Sequence, residues 1–326
     1  MTVFHPTRRA LGLALAAGLA SPLLHAQGNA ARWPGNKPVT IVVPYSPGGG
    51  TDIVARTVAQ RLSELWGVSV VVDNRTGANG VIGSAYVAKA APDGYSLLMV
   101  VGSHAINPVL MKSLPYDTGR AFTPVTRLAD SPMVLVVSAQ GPYKTLNELL
   151  AAARKEPLGV GYSEGQTRLT GELMRQAGGL KTEGVPYKGG APIMVDIIGG
   201  HLPMGVTSVL TALPHVQSGK LRVIGVAAAE RLAIFPDAMT FREAGLPQVE
   251  SLSWYGLFGP AGLSPELVGQ INEDLKKVTS EPALQRQMND QGAKVVLTPP
   301  AEFAKFLQQE QSKWARVAQQ GGIQPE

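Results

Sequence analysis

The period of apolar and polar positions changes repeatedly along this chain. Val39–Val43 (VTIVV) is an almost continuous apolar run, as a strand covered on both faces requires. Pro44 ends it. After a cluster of glycines, Ile53, Val54, Val58, Leu62, Leu65 and Trp66 fall on one face of a 3.6-residue period, with Thr51 or Asp52 as the expected cap. Residues 68–72 read as a second strand, 79–90 as a helix, 92–94 (PDG) as a turn and 96–101 as a third strand. An apolar run at 133–137 restarts the same alternation. Helices are predicted at Leu146–Lys155, 169–177 and 191–198, the last with Pro192 in its first turn, where proline is tolerated. Strands are predicted at Leu158–Tyr162, 182–187, 221–227 and 254–258, and two helices, Pro265–Thr279 and 300–319, follow. Strands alternating with helices predict an α/β fold with open, mostly parallel sheets flanked by helices.

Length refines this picture. A chain of 326 residues is long for one core and points to two lobes. Hydrophobic residues at 44% and charged residues at 16% describe a globular chain rather than a disordered one. Residues 1–26 read as a secretory signal. Arg8 and Arg9 precede a short apolar stretch at 10–20, and 24–26 (LHA) ends in a small residue, as a cleavage site does. No later run approaches the eighteen apolar residues of a spanning helix. Without the leader's two arginines the formal charge falls from +5 to about +3, too weak an excess to argue for nucleic acid. With Cys 0 there is no disulfide, thiolate metal site or cysteine nucleophile, and an exported chain of this kind suits the periplasm.

One motif occurs nearly twice, as VPYSPGGGTD at 43–52 and VPYKGGAP at 185–192. Each is predicted to join the carboxyl end of a strand to the start of a helix, where ligands of open α/β sheets bind. Glycine permits close backbone approach, and a helix start offers unpaired N–H groups and partial positive charge, so each turn is a candidate anion site. Gly48, Gly49, Gly50 and Thr51 would donate in the first turn, and Gly189, Gly190 and Ala191 in the second. Tyr45, Ser46, Thr51 and Tyr187 add hydroxyls. Neither a P-loop nor a dinucleotide fingerprint is present, and Asp52 would repel a multiply charged phosphate, which favours a carboxylate. Arg168, in GYSEGQTRL at 161–169, suits a bidentate grip on a second carboxylate and equally suits a solvated surface. His104 follows the third strand, although a lone histidine is commonly structural. Lys188 adjoins the second turn and equally suits solvent. Trp254 and Tyr255 are read as packing near a lobe crossover. The five histidines lack metal-ligand spacing, Asp52 and Asp196 read as capping or surface residues, and no nucleophile–base pair, metal or cofactor is assigned.

The chain resembles the solute receptors of tripartite tricarboxylate transporters, the Bug or TctC family. The resemblance rests on 43–52, on Asn74-Arg75 with GANG at 77–80, on PDGY at 92–95 and on Asn107-Pro108. LPYD at 114–117, VPYKG at 185–189 and SGKLR at 218–222 continue it, in order, from about residue 37 to the C-terminus. It implies a two-lobed, type II-like Venus-flytrap fold, each lobe an open sheet flanked by helices. It further implies a ligand carboxylate held between Tyr45–Asp52 and Tyr187–Ala191, partly through ordered waters. Further contacts are implied at Ser103, His104, Gly165, Gln166, Thr167 and Arg168. Lobe I is expected at 37–135 plus 253–326 and lobe II at 136–252, with crossovers near 134–137 and 253–258. The implied role is a periplasmic receptor, monomeric and non-enzymatic, that delivers a small carboxylate to a membrane permease. A ligand sensor for a signalling receptor and an exported hydrolase are the alternatives. Two departures stand out. Where relatives carry a Phe-Asp-Asn-like step, this chain reads MGVTS at 204–208, without the acid. The loop at 165–169 is shorter than the serine-rich form and has arginine where histidine is common. Together they predict a carboxylic acid ligand without an amino group.

Overall fold

The first strand, β1 (Val39–Val43), is buried over most of its length, as its unbroken apolar run requires. It lies between β2 (Val70–Asn74) and β3 (Ser96–Val100), parallel to both. The crossovers are α1 (Gly50–Trp66) and α2 (Val81–Ala88), and α3 (Ser103–Leu110) follows β3. This computed structural model describes residues 1–3 and 32–325. Beyond its first three residues, the signal expected at 1–26 lies outside the described residues. All that follows concerns the unit Pro34–Glu326.

The next element, β4 (Phe122–Ser138), is the longest strand, and it changes partners midway. From Phe122 to Pro132 it pairs antiparallel with β10 (Leu252–Pro260), and from Met133 to Val136 with β7 (Met204–Ser208). The first half of the sheet runs β2-β1-β3-β10-β4. The second half contains α4 (Leu146–Lys155), β5 (Leu158–Tyr162), α5 (Gly165–Gly178), β6 (Thr182–Pro186) and α6 (Gly190–Ile198). After β7 come α7 (Val209–Gln217), β8 (Leu221–Val226) and β9 (Met239–Thr240). Here the order runs β4-β7-β5-β6, with β8 also on β4. The chain returns through β10 and ends with α8 (Pro265–Thr279), α9 (Pro282–Asp290), β11 (Lys294–Val295) and α10 (Pro300–Gln320).

Burial on both sheet faces explains the apolar runs. In the second half one layer gathers Leu135, Leu149, Val160, Met204 and Phe241, and the other gathers Val134, Val136, Ile193, Ile197 and Leu213. In the first half, Val42, Leu98, Val100, Trp254, Phe258 and Phe303 form the core beneath the cavity described below. Each fully buried large side chain contributes roughly 1.5–3 kcal/mol.

Several expectations shift. The sheets are mixed rather than mostly parallel, because β4 and β10 carry the chain between the halves and pair antiparallel. The second strand begins two residues later than predicted. Leu65 is 44% exposed instead of core-facing, since α1 ends there and Gly67 turns the chain in the left-handed region. The loop predicted at 165–168 is the first turn of α5. The first half of β4, and α3, β7, α7 and α9, had no counterpart in the sequence reading.

Candidate functional site

The first glycine turn follows β1. Ser46-Pro47 and Gly48, with φ +76°, reverse the chain, and Gly49 is the N-cap of α1 with no side chain capping it. Neither Thr51 nor Asp52 takes that place. Asp52 sits a turn further on and accepts hydrogen bonds from Gly48 N (2.9 Å), Arg56 Nε (2.9 Å) and Asn74 Nδ2 (3.0 Å). Burial pushes its carboxyl up, but these bonds outweigh burial and hold it below the usual range. Two sequence assignments change in consequence. The Gly48 amide is spent on Asp52, and Asp52 is a brace behind the turn that does not line the cavity. The open donors are those of the α1 first turn, beginning at Gly50 and Thr51.

The second turn repeats the device. Gly189, at φ +150°, is the N-cap of α6, again without a side-chain cap, so Gly190 and Ala191 present amides and Pro192 has none to present. The two turns touch. Ser46 Oγ donates to Lys188 O at 3.4 Å, and a Cβ on Gly189 would lie 3.3 Å from Ser46 Oγ. Both line one cavity of about 530 Å³, inside the usual range for small-molecule sites. Tyr45, Ser46, Gly49, Gly50 and Thr51 line it from the first turn, and Tyr187, Lys188, Gly189 and Gly190 from the second. Tyr187 brings its ring, but its hydroxyl donates to Asp196 Oδ2 at 2.6 Å, a bond that pushes its pKa up to about 12.

The third predicted segment behaves differently. All three leading amides of α5 are satisfied within the protein. Gly165 N donates to Asn79 Oδ1 (3.0 Å), Gln166 N to Glu164 Oε2 (2.8 Å) and Thr167 N to Glu164 Oε1 (2.9 Å). Ser103 Oγ also donates to Glu164 Oε2. Of the four residues expected here, Thr167 alone lines the cavity. Gln166 is fully buried and donates to Leu252 O. Arg168 stands in a separate recess with Glu172 and Arg175, its guanidinium 5.8 Å from the Tyr162 ring centre. Ser103 is buried behind the wall, and Ala191 is exposed and does not line the cavity. His104 packs 4.9 Å from Phe122 and 5.1 Å from Phe258, centroid to centroid, with both ring nitrogens buried and without hydrogen-bond partners. Burial lowers its pKa to about 4, which makes it a neutral core side chain.

The wall contains residues the sequence reading did not single out. Trp254 and Tyr255 were read together, yet strand alternation parts them. Trp254 enters the core against Phe303, while Tyr255 lines the cavity. Tyr255 is 1% exposed and its hydroxyl has no hydrogen-bond partner. It lies over Gly50, where a Cβ would come within 2.5 Å of it. Beside it is Ser208, the uncapped N-cap of α7. The stretch 76–80 also lines the cavity with positive φ at Gly77, Ala78, Asn79 and Gly80, and backbone held in that region clusters at functional sites. Asn79 fixes it by donating from Nδ2 to Asn107 Oδ1 at 2.6 Å. GANG at 77–80 was the visible signal for this loop, and the alternation of Trp254 with Tyr255 was the signal for the tyrosine. Among the described residues, Glu164 is the one carboxylate on the wall and Lys188 the one cation.

Residues 161–165 spell G-Y-S-E-G, the spacing of a hydrolase nucleophile elbow, which corrects the sequence reading that no such motif is present. Ser163 lines the cavity, but its φ is not positive as that strained turn demands, and no histidine joins it on the wall.

Comparison with known proteins agrees over most of the chain. Residues 54–323 match the family described as "Tripartite tricarboxylate transporter family receptor". Protein BugT of Bordetella pertussis is 32% identical over 312 residues, 94% of each chain. The Rhodopseudomonas palustris protein Rpa4515, solved with adipate, is 33% identical with a TM-score of 0.86, over 90% of this chain and 100% of that one. MatC from the same organism, solved with malate, is 30% identical with a TM-score of 0.80, over 86% and 98%.

Proposed function

This chain belongs to the tripartite tricarboxylate transporter receptor family, whose members are periplasmic solute-binding receptors, and we propose that it captures a small carboxylate between its two glycine turns. The observation that carries this reading is the pair of uncapped helix starts, α1 and α6, lining one cavity from opposite halves of the sheet. A carboxylate there accepts backbone N–H bonds from both and lies at the positive ends of two helix dipoles. The Tyr255 hydroxyl and Ser208 add donors beside Gly50. The adipate and malate complexes of the two relatives support this ligand class.

Closure follows from the same contacts. We place lobe I at 37–135 plus 253–326 and lobe II at 136–252, with the hinge beside residues 132–133, where β4 exchanges β10 for β7. A ligand that bonds both turns has more partners in the closed form, so it shifts the population toward closure. The closed form is the one delivered to a membrane permease. No chemical step is assigned to the cavity.

The test is a thermal-shift screen of the purified protein against mono-, di- and tricarboxylates, aromatic acids and amino acids. A ligand that binds only the folded state raises the melting temperature. Gly49→Asp places a competing carboxylate at the α1 start, and the shift given by the best acid is expected to disappear. An unaltered shift in that variant, or no shift from any acid with wild-type protein, counts against the reading.

A further inference from the structure

Among the described residues that line the cavity, one is a carboxylate. Glu164 sits half-buried between β5 and α5 and lines the space into which both glycine turns open. Its Oε2 accepts from Ser103 Oγ and Gln166 N, and its Oε1 from Thr167 N. A carboxylate offers about four acceptor positions, so one on Oε1 is left for a group in the cavity. None of these partners belongs to either glycine turn, so Glu164 is fixed on the wall independently of the turns. Its charge also acts on the Tyr45 and Tyr255 hydroxyls, which burial already pushes up, so both stay protonated as donors.

We infer that Glu164 selects the ligand's second functional group, accepting a hydrogen-bond donor such as a hydroxyl, amide or ammonium and rejecting a second ionised carboxylate. The inference rests on the carboxylate-receptor reading above. Its physical basis is charge balance on the wall. The turns and Lys188 provide for one anionic group. Near Glu164 the remaining groups are neutral hydroxyls, among them Ser163, Thr167, Ser253 and Tyr255. A ligand carboxylate set against Glu164 places two like charges side by side in a partly buried site, where ionisation of both is disfavoured. A donor set there completes the Glu164 shell. This reverses the expectation drawn from the acid-free stretch at 204–208: the acid lies in the β5–α5 turn instead, and an amino group finds a partner there.

Isothermal titration decides it. The full chain, at neutral pH, is titrated with straight-chain diacids of four to eight carbons and with ω-hydroxy acids of the same lengths. Terephthalate and 4-(hydroxymethyl)benzoate form an aromatic pair. At the length that fits best, the hydroxy acid is expected to bind at least tenfold more tightly than the diacid. In Glu164→Gln, which keeps the size, removes the charge and gives up one acceptor oxygen for an NH2 donor, the ratio is expected to fall below threefold through a gain in diacid affinity. Should that variant melt below the assay temperature, the wild-type ratio alone decides. A diacid that binds wild type as tightly as its hydroxy acid overturns the inference and leaves the receptor reading standing, as does an unchanged ratio in Glu164→Gln. Failure of every probe to bind wild type overturns both.

Discussion

Three of the helices that begin at the cavity wall after a strand, α1, α5 and α6, have first turns with opposite fates. α1 and α6 start at Gly49 and Gly189 with no side chain on their leading amides. α5 starts at Glu164, whose carboxylate takes the Gln166 and Thr167 amides while Asn79 takes that of Gly165. All three have the geometry of an anion site. In α5 the anion is built in, and in the other two no side chain supplies one. Position at a strand's carboxyl end therefore marks where ligands can bind, and the identity of the N-cap decides whether they do.

The Gly49→Asp variant breaks this comparison most directly, because it turns α1 into a copy of α5. Besides the lost ligand response, the ligand-free protein is expected to melt no lower than wild type, since aspartate is as good an N-cap as any residue. A variant that loses binding and stability together would mean that the turn, not the cap, was damaged.

Asn79→Ala attacks the α5 side. It removes the acceptor for Gly165 N and the donor to Asn107, and it puts alanine at φ +53°. Unsatisfied buried groups cost about 1–3 kcal/mol and a left-handed non-glycine residue about 1–2 kcal/mol. Urea denaturation is expected to show a loss of roughly 2–4 kcal/mol, and a loss under 1 kcal/mol would deny Asn79 its bridging role.

Tyr255→Phe sharpens the comparison with a smaller effect. A buried hydroxyl without a partner stabilises nothing in the ligand-free protein, so its melting temperature is expected to hold or rise. Affinity for the captured acid is expected to fall roughly tenfold, the worth of one hydrogen bond to a charged group. Equal affinity would remove Tyr255 from the ligand's partners.

His104 gives the smallest effect at neutral pH. Its folded pKa of about 4 lies below its ordinary value of 6.5, so the unfolded chain binds more protons between them. Its contribution is fully present above 6.5, is lost as pH falls toward about 4, and changes no further below that. His104→Leu is expected to flatten this part of the stability–pH curve and to leave ligand affinity at neutral pH within twofold. A tenfold loss of affinity would bring His104 back to the site.

Legibility varied for physical reasons. The β1–α1 and β6–α6 turns were visible because glycine, proline and a change of hydrophobic period act within ten residues. The stretch from β7 into α7 (MGVTSVLTAL, 204–213) was missed because apolar and small hydroxyl residues run on through it and no glycine or proline stands at the change from strand to helix at Ser208. Arg168 and His104 were plausible ligands by residue type, yet the pitch of α5 and the aromatic packing behind α3 turn them away.

By itself the sequence determined the alternating α/β pattern and the two glycine turns at the starts of helices, because periodicity and backbone freedom are local properties. Tertiary structure alone decided that the two turns share one cavity, that Tyr255 rather than Trp254 faces it, and that the α5 start is already occupied. Those outcomes depend on the register of β10 against β3 and β4. They depend equally on Ser103 and Asn79 reaching residues 61 and 86 positions away, contacts that only the folded chain brings together.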